Sequence, residues 1–184
     1  MLNVAGEDNE IEVKILKGRI SKPIECFSID GKLTFVDQET NEVIASTSVP
    51  VKIKQAVLIF LPPTTEKEKQ WKIFPFEDTK EEFPAGGTRV VNLHGSDIRF
   101  LIGQDQEALK PLQSKGFVMP DDRDEFNMAS VKFQFKNNQD EWVTGKSGAY
   151  RFLPSSRYLL VAYIDPRTKR PVVKTFKDRI APSS

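Results

Sequence analysis

Val131-Lys-Phe-Gln-Phe-Lys136 alternates apolar and polar side chains without a break. A strand turns successive side chains to opposite faces, so Val131, Phe133 and Phe135 share one face and Lys132, Gln134 and Lys136 the other. The stretch reads as a half-buried antiparallel strand. Slipping it by one residue would bury two lysines without partners, so the inward set is fixed. Ile11-Glu-Val-Lys-Ile15 repeats the pattern, and Asp97-Ile-Arg-Phe-Leu-Ile102 does so with Ile98, Phe100 and Ile102 inward.

Turn chemistry separates these runs: Asp30-Gly31, Asn137-Asn-Gln-Asp140 and Asp165-Pro-Arg-Thr-Lys-Arg-Pro171 lie at hairpin-like spacing. Two continuous apolar runs, Ala56-Val-Leu-Ile-Phe-Leu61 and Tyr158-Leu-Leu-Val-Ala-Tyr-Ile164, read as core strands buried on both faces. Helical periodicity is scarce. Its best candidate, residues 104–113, is short and interrupted by Pro111.

The expected fold class is therefore all-β, with two tandem β-sandwich-like halves at residues 10–83 and 88–178. A hinge is expected at Phe83-Pro-Ala-Gly-Gly87, where Pro84 and the glycine pair interrupt regular structure. The segments Val43-Ile-Ala-Ser-Thr-Ser48, Ala56 to Pro62 and Trp71-Lys-Ile-Phe74 recur in order as Trp142-Val-Thr-Gly-Lys-Ser147, Tyr158 to Pro166 and Val172-Val-Lys-Thr-Phe176. The offset is about one hundred residues, the size of one sandwich domain. An internal duplication would leave this order, and so would any two β-meanders.

The chain has 184 residues, 39% of them hydrophobic, including 13 Phe, 2 Trp and 3 Tyr. That apolar content can build a core without metal or disulfide. With 27 Lys and Arg against 26 Asp and Glu the net charge is +1. Such a balance sets up no global field to draw in nucleic acid or an anionic membrane, so neither is an expected partner. No apolar run reaches the ~18 residues of a membrane helix, so the chain is not expected to span a membrane. Residues 1–10 show neither a basic n-region nor an apolar h-region, so the chain is expected to be cytoplasmic unless a signal precedes Met1.

The single cysteine, Cys26, cannot form an internal bridge and sits where a small buried hydrophobe is expected. The single histidine, His94 in Asn92-Leu-His-Gly-Ser96, reads as an exposed turn residue rather than a catalytic base. One Cys and one His cannot build a zinc site. Asp121-Asp-Arg-Asp-Glu125 lacks the order of a calcium loop and carries Arg123 in its middle, so it reads as a solvated acidic turn. Gly86-Gly87 opens a strand rather than a helix, which is no phosphate cradle. No cofactor, metal ligand or catalytic residue is expected. Trp71, Trp142 and Tyr150 are the candidate binding residues, as a stacking platform for a sugar, against the commoner use of aromatics as core. The basic segment Arg167-Thr-Lys-Arg170 with Lys174, Lys177 and Arg179 reads as a solvated hairpin rather than a contact for an anionic surface.

Gly31-Lys-Leu-Thr-Phe35, Val49-Pro50, Val57-Leu-Ile-Phe-Leu-Pro62, Phe83-Pro-Ala-Gly-Gly-Thr-Arg-Val-Val-Asn-Leu93 and Arg157-Tyr-Leu-Leu-Val161 together resemble a group of small uncharacterised bacterial exported proteins. The group's turn after this phrase is approximated by Lys110-Pro-Leu-Gln-Ser-Lys-Gly116, with an insertion before Gly116. These are strand-and-turn phrases, which specify a fold and no site. The resemblance implies an extracytoplasmic β protein, periplasmic or at the cell surface, whose signal lies upstream of Met1. The expected function is a non-enzymatic interaction or structural module with a protein or glycan partner. A carbohydrate-binding protein and a small hydrolase with dispersed acids are the alternatives.

Overall fold

The computed structural model describes residues 2–4, 11–16, 18–50, 52–63, 65, 68–137 and 139–180. It is all-β, with no helix among the described residues. The chain divides into two compact units, Met1–Asp78 and Thr79–Ser184.

In the first unit β1 (Leu2–Val4), β2 (Ile11–Val13), β3 (Lys32–Asp37) and β4 (Val43–Ser48) form an antiparallel sheet in the order β2-β1-β3-β4. A hairpin of β5 (Ala56–Leu61) and β6 (Lys72–Glu77) makes a second sheet. Val4, Leu33, Phe35, Ala45 and Val49 form the buried core, and Leu58, Phe60, Trp71 and Ile73 of the hairpin pack onto it. Phe35 meets Phe60 edge to face at 5.0 Å across the two sheets. A backbone bond from Trp71 N to Ile44 O, 2.8 Å, ties β6 to β4.

The second unit is the larger sandwich. β7 (Thr88–Asn92), β10 (Ser114–Phe117), β13 (Ser156–Ile164) and β14 (Pro171–Arg179) form one sheet in the order β10-β7-β13-β14. Within it β7 and β13 run parallel. β8 (Ile98–Ile102), β9 (Asp105–Leu109), β11 (Met128–Lys136) and β12 (Trp142–Arg151) form the other, in the order β12-β11-β8-β9. The alternation read from the sequence holds here: Val131, Phe133 and Phe135 are buried, as are Ile98, Phe100 and Ile102. Phe100 stacks on Phe133 at 5.3 Å and meets Phe117 of the facing sheet edge-on at 5.4 Å.

The same strand order runs through both units. β1, β2, β3 and β4 hold the places in their sheet that β8, β9, β11 and β12 hold in theirs, and the hairpin β5-β6 corresponds to β13-β14. β3-β4 and β11-β12 also share a bulge one strand position after a core phenylalanine. The ladder steps from Phe35↔Ala45 to Val36↔Val43 in one, and from Phe133↔Lys146 to Gln134↔Thr144 in the other. The residue skipped in the second unit is Gly145, where a Cβ would lie 2.5 Å from the Phe135 ring. β7 and β10 have no counterpart among the described residues of the first unit.

Three expectations are corrected. Residues 104–113 form no helix: Asp105–Leu109 is strand β9, because Gly103, at φ +61°, turns the chain tightly back along β8, and the rest is turn or irregular chain. The run Ala56–Leu61 is not buried on both faces: all six residues keep partial exposure, since β5 lies in a two-stranded sheet. Of the run Tyr158–Ile164, flanked by β7 and β14, Tyr158 to Ala162 are buried as expected of a central strand, whereas Tyr163 is partly exposed and Ile164 is 40% exposed at the strand's end. Residues 83–87 lie in the second unit, where Phe83 is 1% exposed under the Arg157 guanidinium and Gly86 N donates to Ser156 O at 2.8 Å.

Candidate functional site

The pleat that buries one face of β12-β11-β8-β9 turns the other outward. Cross-strand pairing aligns Arg99 with Gln134 and Ala108, Leu101 with Lys132 and Gln106, Lys132 with Ser147, Gln134 with Thr144, and Lys136 with Trp142. Ser130, Ala149, Met128 and Arg151 continue the row. Arg99, Lys132, Lys136 and Arg151 are its charged members, and none of the described outward positions on these four strands is Asp or Glu.

A depression of about 250 Å³ is lined by Arg99, Phe100, Leu101, Gln106, Lys132 and Gln134. Arg99 is held in place: its Nε donates to Gln134 Oε1 at 2.7 Å, and its guanidinium carbon lies 4.7 Å from the centre of the Trp142 ring. Lys136 Nζ lies 5.6 Å from the same ring and pairs with Asp140 at 2.7 Å. Lys132 and Arg151 are exposed and carry no ion pair among the described residues.

The three aromatic candidates part company. Trp71 packs against the core of the first unit. Tyr150 packs against the core of the second, where its hydroxyl lies 3.1 Å from Thr175 Oγ1 on the facing sheet. Trp142 alone stands on the open face, and cations already lie over its ring. Trp142 and Tyr150 thus lie on opposite faces of β12. Arg99, Gln106, Lys132 and Gln134 had no motif to mark them, since only strand pairing brings β8, β9 and β11 together.

His94 is not exposed, as its turn setting led one to expect, but 7% accessible. Its Nδ1 accepts from Ser96 N at 3.1 Å, its ring meets Phe135 at 5.2 Å, and its own N–H donates to Asn92 Oδ1 at 2.9 Å. Buried Asn92 in turn donates to Ser96 O and Leu109 O, both at 3.0 Å. The turn is thus folded inward by satisfying every polar group on Asn92. Arg123, in the acidic run, is likewise a structural tie, with Nε donating to Pro120 O at 2.6 Å and Nη1 to Asn127 Oδ1 at 3.1 Å. No cluster of three or more His, Cys, Asp or Glu that could hold a metal occurs among the described residues.

Cys26 packs, half-buried, against the first unit's core, and burial pushes its thiol up. No helix among the described residues is long and apolar enough to cross a membrane. No family model matches the chain, and no curated protein is similar to it.

Proposed function

We propose that this chain is a non-enzymatic extracytoplasmic interaction module that holds an acidic glycan on the outer face of β12-β11-β8-β9. One observation carries the reading: cations are gathered on an open sheet face that has no carboxylate among its described outward positions. In a chain of net charge +1 that is a local concentration, and it creates a local attractive field for an anionic chain.

Trp142 decides between neutral and acidic sugars. A neutral sugar would need the ring face that Arg99 and Lys136 overlie, whereas a uronate or sulfate group would meet Arg99 and the exposed Lys132, Lys136 being paired with Asp140. Gln106 and Gln134 add amides that pair with sugar hydroxyls. A single tryptophan is poor equipment for a nucleic-acid strand, which binds through successive stacked bases. The extracytoplasmic setting rests on the resemblance to exported proteins, and recovery of the native protein from cytosol would remove it.

The test is retention on an immobilised polyuronate against a neutral glucan and a single-stranded oligonucleotide. The expected result is salt-sensitive binding to the polyuronate only, weakened about tenfold or more by Lys132→Glu, a change worth about 1.4 kcal/mol. Equal retention of all three, or full retention by the variant, would sink the proposal.

A further inference from the structure

β5 runs Ala56-Val-Leu-Ile-Phe-Leu61 with neither a charge nor a proline in it. In its hairpin it pairs only with β6, so its other edge has no strand partner among the described residues. Edge strands in natural proteins are normally blunted by lysine, proline or a bulge, because an open apolar edge templates pairing with another chain. None of these devices is present along β5.

The groups on that edge follow from the register. Asp78 N donates to Gln55 O at 2.9 Å, which makes the 55/78 pair a hydrogen-bonded one. Alternation then assigns Val57, Ile59 and Leu61 to the bonds with β6, and turns the N–H and C=O of Ala56, Leu58 and Phe60 to the open edge. Pro75 lies opposite Leu58, at a non-bonded pair where its missing N–H costs the ladder nothing.

The second unit shows what such an edge holds. β13 and β14 make the corresponding hairpin, and on the free side of β13 lies β7, running parallel. Tyr158 N donates to Gly87 O at 3.0 Å, and Leu93 N donates to Ala162 O at 2.8 Å. Tyr158, Leu160 and Ala162 thus use the lateral groups that Ala56, Leu58 and Phe60 leave open. The side-chain faces agree as well: Tyr158, Leu160 and Ala162 turn into the second core, and Leu58 and Phe60 turn toward the first.

We infer that the open edge of β5 is a strand-addition site, and that its occupant is an extended segment of another polypeptide running parallel to β5. The segment takes the place that β7 takes beside β13. It carries small or β-branched residues at alternate positions, as Thr88 and Val90 do, to close the core behind Leu58 and Phe60. A second copy of this chain is a different arrangement, because a two-fold axis normal to the sheet pairs β5 with β5 antiparallel. This site is separate from the cationic face and does not depend on it.

The probe is a blocked synthetic peptide of this chain's own residues 86–94, with a scrambled peptide as control, added to the full-length protein. Residue-resolved amide exchange is the measurement. In the free protein Ala56, Leu58 and Phe60 should exchange faster than Val57, Ile59 and Leu61, and the peptide should slow those three selectively. Ala56→Pro removes one edge donor without touching the bonds to β6, and should weaken the peptide about tenfold. The exchange data on the unsubstituted protein stand even if that variant folds poorly. Three results would overturn the inference: equal protection of both sets in the free protein, equal slowing by the scrambled peptide, or protection of the edge that grows with protein concentration as a dimer forms.

Discussion

Phe133 and Gln134 are neighbours in sequence with opposite fates. Phe133 is 0% exposed in the second unit's core, stacked on Phe100, whereas Gln134 lies half-buried on the open face and accepts one bond from Arg99. Phe133→Ala removes a buried ring and leaves a cavity, so it should cost roughly 3–5 kcal/mol. Gln134→Ala loses one partly solvated hydrogen bond and should cost about 1 kcal/mol or less. Denaturant melts of the two variants measure the contrast, and equal losses would contradict the one-sided strand. His94 shows where residue-scale reading stops. A glycine and a serine beside it signal a turn, but whether a turn lies on the surface or folds inward depends on partners far away, here Leu109 and Phe135.

Among the elements, two hairpins close with the same device. Asp37 Oδ1 accepts from the backbone N–H of Glu39 and Thr40, and Asp165 Oδ1 accepts from those of Arg167 and Thr168. In each, the residue four places on has positive φ, Asn41 at 55° and Lys169 at 57°. The N–H donors of Thr168 and Arg167 hold the Asp165 carboxyl below its ordinary 3.8, and those of Thr40 and Glu39 do the same for Asp37. A carboxyl lowered in the fold contributes stability above its ordinary value and loses that contribution as pH falls through the lower folded value. Asp165→Asn should therefore be less stable than the unsubstituted protein at pH 7. Thermal melts across pH should show the gap narrowing from about pH 4 downward. A gap that stays constant to pH 2 would refute the account.

At the level of the whole molecule, each unit has a buried core of its own, one centred on Phe35 and the other on Phe100 and Phe133. Thr79–Ser184 carries both sheets of its sandwich, so expressed alone it should unfold cooperatively and keep the near-ultraviolet dichroism of its packed aromatics. A fragment lacking that signal would show that its core needs residues from the first unit.

The amino-acid order by itself determined the strand character, the inward set of β8 and β11 and the turn positions. These depend on side-chain period and on φ preferences within a few residues, which are local properties. Only the tertiary structure decided that β9 is a strand, that the equally apolar Ala56 run lies at an edge, and that β7 joins β13 in parallel. It alone gathered Arg99, Gln106, Lys132 and Gln134 on one face. Each of these depends on which strand pairs with which across tens of residues, and the pairing is set by burying both sheets' apolar faces at once rather than by any short stretch of sequence.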